Sequence, residues 1–312
     1  MYSNKNSVVF PGQGSQYPQM LSHYFEKFLA FQETFELSSK LLGTNFVDLI
    51  QKGNKEELSK TEVTQPLMLI ANVALWNLVK EKIDKPVCLA GHSLGEYSAL
   101  VASKVLDFKD ALMLVQERST LMQEAVPHNE GGIAAIVGLD EETINTVCTR
   151  ISRNLEFLVS AANLNSPTQI VISGTKLGVL KAIDEFKLLG ARRAINLPMS
   201  VPAHSNLMKE AAKKFSLAVK KVKFNDPKIP IILNVDGKAE EDVEVIKVKL
   251  IKQIYNPVRW LDTVNLINRM GVKTIIECGP GKVLCGLIKR ISPEITVIDL
   301  DNYENFLNLT SD

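Results

Sequence analysis

Cysteine is scarce in this chain of 312 residues: Cys88, Cys148, Cys278 and Cys285 stand far apart, and no two of them form a C-x-x-C pair. Neither a disulfide framework nor a thiolate metal site is expected, and the thiols should be reduced. The four histidines, His23, His92, His128 and His204, show no H-x-x-x-H spacing, so no metal is expected through imidazole either. An excess of one charge is missing too, since 36 basic residues face 35 acidic ones for a formal charge of +1. A nucleic-acid surface needs a basic surplus to neutralise phosphates, so no nucleic-acid partner is expected. Long apolar runs are absent as well. The best membrane candidate, residues 66–79, is interrupted by Asn72 and Asn77, and the polar start Met1-Tyr2-Ser3-Asn4-Lys5-Asn6 leads into an apolar run too short for a signal peptide. A cytoplasmic protein without membrane contact is the expectation.

What is present is an ordinary globular composition, 46% apolar and 23% charged, in a length that suits one large domain or a core carrying a smaller one. Ser7-Val8-Val9-Phe10 reads as a buried strand that ends at Pro11-Gly12. Helical patterning then runs to about residue 80, after which a short strand at 86–90 stops at Gly91, ahead of good helix formers at 96–102. Between 127 and 198 the pattern changes to strand 132–138, helix 140–152, strand 156–162, strand 169–173, helix 175–189 and strand 192–197. That order is βαββαβ, the ferredoxin-like unit, with Asp140 suited to an N-cap and Gly190 to a helix C-terminus. Residues 127–199 therefore read as an inserted subdomain. The α/β core resumes with an amphipathic helix carrying Leu207, Ala211, Phe215, Ala218 and Val222 on one stripe, followed by strands at 229–235, 273–277 and 295–300.

Gly91-His92-Ser93-Leu94-Gly95 fits G-x-S-x-G, a pattern short enough to arise by chance. Its place between a strand and a helix gives it weight, because terminal glycines permit the strained turn that presents a nucleophilic serine hydroxyl. A serine is a weak nucleophile near neutral pH and needs a base, which limits the choice to His23, His92, His128 or His204. His204 is the best candidate: it follows Ser200-Val201-Pro202-Ala203, where Pro202 stiffens the loop, and it opens the amphipathic helix of the resumed core. His92 adjoins Ser93, but neighbouring side chains on such a turn diverge. A lone histidine is more commonly a structural residue, and only the need of Ser93 for a base points the other way.

The loop Pro11-Gly12-Gln13-Gly14-Ser15-Gln16 begins like a dinucleotide fingerprint, but Tyr17 stands where the third glycine is required. No P-loop pattern occurs. The loop is either a plain glycine turn or a second oxyanion donor that complements the backbone N–H of Leu94. Arg118 falls on the apolar face of its helix, seven residues after Ala111 and in line with Leu114 and Val115, so its guanidinium should point inward. An internal salt bridge is the first expectation for it, with a rim position or a ligand carboxylate held bidentately as the alternatives.

Taken in order, Phe10-Pro11-Gly12-Gln13-Gly14-Ser15-Gln16, Gly91-His92-Ser93-Leu94-Gly95-Glu96-Tyr97, Gln116-Glu117-Arg118, Val201-Pro202-Ala203-His204 and Gln253-Ile254-Tyr255-Asn256-Pro257-Val258 resemble the malonyl-CoA:acyl carrier protein transacylases of bacterial fatty-acid synthesis. Asn163-Leu164-Asn165-Ser166-Pro167 and Gly279-Pro280-Gly281-Lys282 extend the resemblance over nearly the whole chain. Ala203 and Thr168 depart from the residues commonest in that family. The resemblance implies an α/β-hydrolase-like core at 1–126 and 200–312, a ferredoxin-like insertion at 127–199, and an active site in the cleft between them. It implies Ser93 as the acylated nucleophile, His204 as its base, Arg118 as the clamp for the malonyl carboxylate, and Gln13 with Leu94 as the oxyanion hole. Gln253 would orient His204, since this family holds its histidine with a carbonyl and not a carboxylate. Malonyl-CoA and holo acyl carrier protein would be the substrates of a monomeric ping-pong enzyme that needs no cofactor. An acyltransferase of a polyketide or malonate decarboxylase pathway shares these motifs, and a serine thioesterase shares the elbow.

Overall fold

The computed structural model describes residues 5–127, 129–198 and 201–309. His128, the boundary residues 199 and 200, and the first four residues of the polar start lie outside the described residues. Strand β1 (Asn6–Phe10) is followed by the expected helical stretch: α1 (Ser22–Lys27), α2 (Leu29–Leu42), α3 (Phe46–Lys52), α4 (Lys55–Leu58) and α5 (Thr61–Val79). Next come β2 (Leu89–Gly91), α6 (Gly95–Ala102) and α7 (Phe108–Glu124). A second unit contains β3 (Gly131–Val137), α8 (Glu141–Ile151), β4 (Val159–Ser166), β5 (Gln169–Thr175), α9 (Lys176–Leu188) and β6 (Arg193–Asn196). The first unit resumes with α10 (Lys209–Val219), β7 (Ile231–Leu233), β8 (Lys238–Glu240), α11 (Val243–Gln253), α12 (Trp260–Arg269), β9 (Thr274–Glu277), α13 (Val283–Ile291), β10 (Thr296–Asp299) and α14 (Tyr303–Leu307).

The larger sheet has the order β10-β9-β1-β2-β7-β8 and is parallel apart from β8, which runs antiparallel to β7. Strands covered on both faces read as continuous apolar runs, and Val8, Val9 and Phe10 are all fully buried. Phe10 pairs with Gly91, so β1 and β2 end side by side and deliver their following loops to the same edge. That carboxyl edge is where open α/β sheets hold their ligands. Helix α5 is buried almost all round, which explains its lack of a polar stripe.

The smaller sheet has the order β4-β5-β3-β6 with every pairing antiparallel. Alternation splits its two faces: Ala134, Ile136, Ile170 and Ile172 pack with Ile144, Val179 and Phe186 of α8 and α9, while Ile133 and Val171 face the opposite way. Register shifts in β4 re-aim Asn163 and Asn165 toward the larger unit. There Asn163 forms a parallel bridge with Val258. All four strands of this sheet fall within residues 131–196. We propose 127–199 as the extent of the smaller unit, with 1–126 and 200–312 as the core.

The caps follow the sequence. Asp140 accepts from the Thr143 N–H at 2.8 Å, and Gly190, with φ of +88°, closes α9 as the Ala191 N–H donates to the Phe186 carbonyl at 2.9 Å. Three expectations need correction. The strand expected at 156–162 begins later, because Asn154 caps a 3-10 turn at Leu155–Phe157. The strand expected at 229–235 is cut to three residues by a turn that reverses the chain at Gly237, where φ is +61°, into the unanticipated β8. The stripe from Leu207 to Val222 is divided between a 3-10 turn, Asn206–Met208, and α10, which stops at Val219. All four cysteines are buried free thiols, and among the described residues no helix is long and apolar enough to cross a membrane.

Candidate active site

Ser93 occupies the turn between β2 and α6 with φ of +51°, a left-handed conformation that costs an L-residue about 1–2 kcal/mol. The flanking glycines are required by contact distance. A Cβ on Gly91 would lie 1.9 Å from the carbonyl carbon of Gly95, and one on Gly95 would lie 2.0 Å from the Phe10 oxygen. Gly12 packs equally closely, since its Cβ would meet the His92 oxygen at 2.4 Å. These approaches press the loop after β1 against the elbow, and so bring Gln13 beside Leu94 at the cleft.

The Ser93 Oγ lies 2.8 Å from His204 Nε2. The opposite nitrogen, Nδ1, is 2.7 Å from the Gln253 main-chain oxygen, so Nδ1 carries the proton and leaves Nε2 free to accept the serine proton. The His204 N–H donates to the Ile254 carbonyl at 3.0 Å, fixing a residue whose φ is +61°. Burial, with a further contribution from the Arg118 charge, holds the imidazole down to about 3. It is therefore the neutral base at physiological pH. The Gln253 side chain joins the same cluster, donating from Nε2 to the Ser93 carbonyl at 2.8 Å. His92 turns away from Ser93, as expected, with Nε2 2.8 Å from Asn165 Oδ1 and its ring 5.5 Å from that of Trp260. His23 packs against Tyr303, and His128 lies outside the described residues.

Arg118 points inward from α7 and is 1% exposed. Its Nη1 donates to Gln65 Oε1, and its Nη2 donates to Gln253 Oε1 at 3.0 Å and lies 3.5 Å from Ser93 Oγ. The guanidinium also stands 5.6 Å from the Tyr97 ring centre, and Nε has no hydrogen-bond partner among the described residues. Among the described residues it forms no ion pair, so the internal salt bridge expected first is not found. Burial pushes the nearby Glu96 carboxyl up to about 8, which leaves it largely neutral near pH 7. A buried cation with neutral partners thus sits beside the serine hydroxyl, an arrangement that favours an incoming anion.

Ser93, His204, Arg118 and Gln65 line a cleft of about 220 Å³ whose floor is the carboxyl edge of the large sheet and whose roof is the inner face of the small one, with Ile133, Asn163, Asn165 and Val171. The N–H groups of Gln13 and Leu94 donate to no protein acceptor among the described residues, while the Gln13 side chain reaches Thr61 Oγ1 at 3.4 Å. The cleft continues past Gln169 and Leu197 into an open groove of about 700 Å³ edged by the exposed Arg192, Arg193 and Arg290. Arg290 also bonds the Gln169 side chain.

Residues 8–293 match the acyl transferase domain family. The chain belongs to the acyl transferase family. The malonyl CoA-acyl carrier protein transacylase of Haemophilus influenzae is 45% identical over 304 residues, covering 97% of each chain. The solved malonyl CoA-acyl carrier protein transacylase of Coxiella burnetii superposes with a TM-score of 0.95 at 40% identity over 98% of each chain. A malonyl-transacylase in complex with a type II polyketide-synthase acyl-carrier protein is 44% identical, with a TM-score of 0.95 and 98% of each chain covered.

In this acyl transferase Ser93, His204, Arg118, Gln13 and Leu94, all singled out from the sequence, line one cleft, and Gln253 is buried against three of them, whereas Gln65, Glu96 and Asn234 were not foreseen. A signal existed for Gln65. It is a lone amide next to the apolar run that begins at Pro66, where a buried polar group requires a partner. Glu96 and Asn234 gave none, because their meeting depends on the side-by-side placement of β2 and β7.

Proposed function

We propose that this chain is a malonyl-CoA:acyl carrier protein transacylase of fatty-acid synthesis, working in the cytoplasm through a malonyl-serine intermediate. The observation that carries this reading is Arg118, a buried guanidinium without an acidic partner among the described residues, 3.5 Å from the hydroxyl that would be acylated. Ser93 Oγ attacks the thioester carbonyl of malonyl-CoA while His204 Nε2 takes its proton. The N–H groups of Gln13 and Leu94 hold the oxyanion of the tetrahedral intermediate. Collapse breaks the carbon–sulfur bond, and His204 returns the proton to the coenzyme A sulfur. The phosphopantetheine thiol of holo acyl carrier protein then gives its proton to His204, attacks the malonyl-serine and leaves as the malonyl thioester, which restores the Ser93 hydroxyl.

The carbonyl of Gln253 orients the imidazole as a neutral acceptor, which stabilises the imidazolium less than a carboxylate does. This weaker support suffices because a thiol with a reference pKa of about 8.5 leaves far more readily than an amine. Arg118 holds the malonyl carboxylate, and its negative charge offsets the cation that depresses His204. Substrate binding thereby strengthens the base. Peptide mapping after mixing with malonyl-CoA should find one malonyl group, on Ser93; a label elsewhere would overturn the assignment.

Arg192, Arg193 and Arg290 offer a cationic approach to the cleft for the phosphates of coenzyme A and for an acidic carrier. Exchanging both Arg193 and Arg290 for Glu should raise KM for the carrier about tenfold at low salt, with the difference shrinking as salt screens the surface charges. Steady-state kinetics at two ionic strengths would measure it. A salt-independent loss would remove steering as the cause.

A further inference from the structure

The nucleophile sits in a backbone conformation that neither β2 nor α6 imposes, so other groups must hold it there. Asn234, at the end of β7 and fully buried, spans the turn with its carboxamide. Its Oδ1 accepts from the Ser93 N–H at 2.7 Å, and its Nδ2 donates to the Gly91 carbonyl at 2.6 Å. Asn234 is itself fixed, because its N–H donates to the buried Glu96 carboxyl, in the first turn of α6, at 2.6 Å. The amide therefore ties the last residue of β2, the nucleophile and the following helix into one closed loop. On the other side, the Ser93 carbonyl accepts from Gln253 Nε2 at 2.8 Å and from the Glu96 N–H at 3.1 Å.

We propose that Asn234 is a positioning residue for acyl transfer, whose carboxamide bridges Gly91 and Ser93 and holds the elbow with the Ser93 Oγ toward His204 and the Leu94 N–H toward the cleft. The proposal rests on the reading of Ser93 as nucleophile. Held by Asn234, the Ser93 N–H faces away from the reacting carbon, so the donor turned to the oxyanion at this bend is that of Leu94. Both functions of the amide are needed: an acceptor for Ser93 and a donor for Gly91. A residue supplying only one leaves a buried backbone group unsatisfied and allows the strained turn to relax.

Asn234→Ala should lower the single-turnover rate of Ser93 malonylation about 10- to 100-fold while KM for malonyl-CoA stays within about twofold, the pattern of a lost transition-state contact. Asn234→Asp is the sharper variant. As an anion it keeps the acceptor but sets a second oxygen against the Gly91 carbonyl; when protonated it restores both bonds. Its rate relative to wild type should therefore climb as pH is lowered from 8 to 6, which a purely structural defect does not produce. Rapid-quench mass spectrometry of the protein gives all of these rates, with thermal melting as the check on folding. An Ala variant that folds and keeps the wild-type rate, a loss confined to KM, or an Asp variant that parallels wild type across pH would each overturn the proposal. If the Ala variant does not fold, the pH dependence of the Asp variant decides alone. A wild-type protein that takes no malonyl group on Ser93 overturns the underlying reading and this inference together, whereas normal wild-type labelling with unaffected variants overturns this inference alone.

Discussion

His204→Ala should slow malonylation of Ser93 by about 10²- to 10⁴-fold, the usual contribution of a positioned general base. The expectation follows from the 2.8 Å contact between Oγ and Nε2 and from the Nδ1 bond to the Gln253 carbonyl, which together leave one nitrogen free to receive the proton. The pH dependence has a definite sign. A histidine held down to about 3 stays neutral throughout the range in which a free imidazole gains a proton. The wild-type kcat/KM, which reports the free enzyme, should thus show no acid limb between about pH 8 and 5.5. Stopped-flow acylation over that range provides the test. A descending limb centred near the ordinary histidine value of about 6.5 would mean that the resting base is far less depressed than its burial and the Arg118 charge require.

Replacing Arg118 with Ala should separate malonyl from acetyl transfer. The two coenzyme A esters present the same thioester, so discrimination must come from the malonyl carboxylate, and Arg118 is a fork-shaped cation in the cleft with no acid bound to it among the described residues. Losing a charge-assisted contact of roughly 1.5–3 kcal/mol corresponds to about a ten- to hundredfold fall in malonyl kcat/KM. Acetyl transfer should hold or improve relative to it, because the Ala variant no longer presents an unmatched buried charge. Arg118→Lys should recover only part of the malonyl rate, since a point charge cannot reproduce two parallel N–H donors. Removing the cation also relieves one of the influences that depress His204, so the acid limb should move toward higher pH in the Ala variant. Parallel kinetics with the two substrates and a melting curve would settle the matter. Equal losses for both acyl groups in a folded variant would make Arg118 a structural residue.

The parts of the fold that were legible in the sequence are those governed by local rules. The short buried strands that stop before Pro11-Gly12 and at Gly91, the Asp140 cap, the Gly190 terminus and the βαββαβ order all follow from period, capping and turn chemistry. Ser93 stood out because its glycines answer to a contact distance, and Arg118 because a cation occupied an apolar face. What could not be read locally depends on distant segments meeting. The partners of Arg118 come from residues 65 and 253, and the internal salt bridge first expected for it gave way to two amide oxygens. The amide that spans the elbow comes from position 234, 141 residues from Ser93. The misplaced start of β4 and the missed β8 have another cause, since single turns at Asn154 and Gly237 overrode the apolar pattern around them.

In the proposed mechanism the acyl group passes through Ser93 from one thioester to another. Intact-mass measurement of the protein mixed with malonyl-CoA, before and after addition of holo acyl carrier protein, follows that passage step by step. Wild-type protein should gain one malonyl group, the Ser93→Ala variant none, and the wild-type label should be lost as the carrier gains the same mass. Discharge at the same rate without the carrier would mean that water is the acceptor and the protein a thioesterase, and malonyl transfer to the carrier by the Ser93→Ala variant at the wild-type rate would contradict the acyl-serine mechanism altogether.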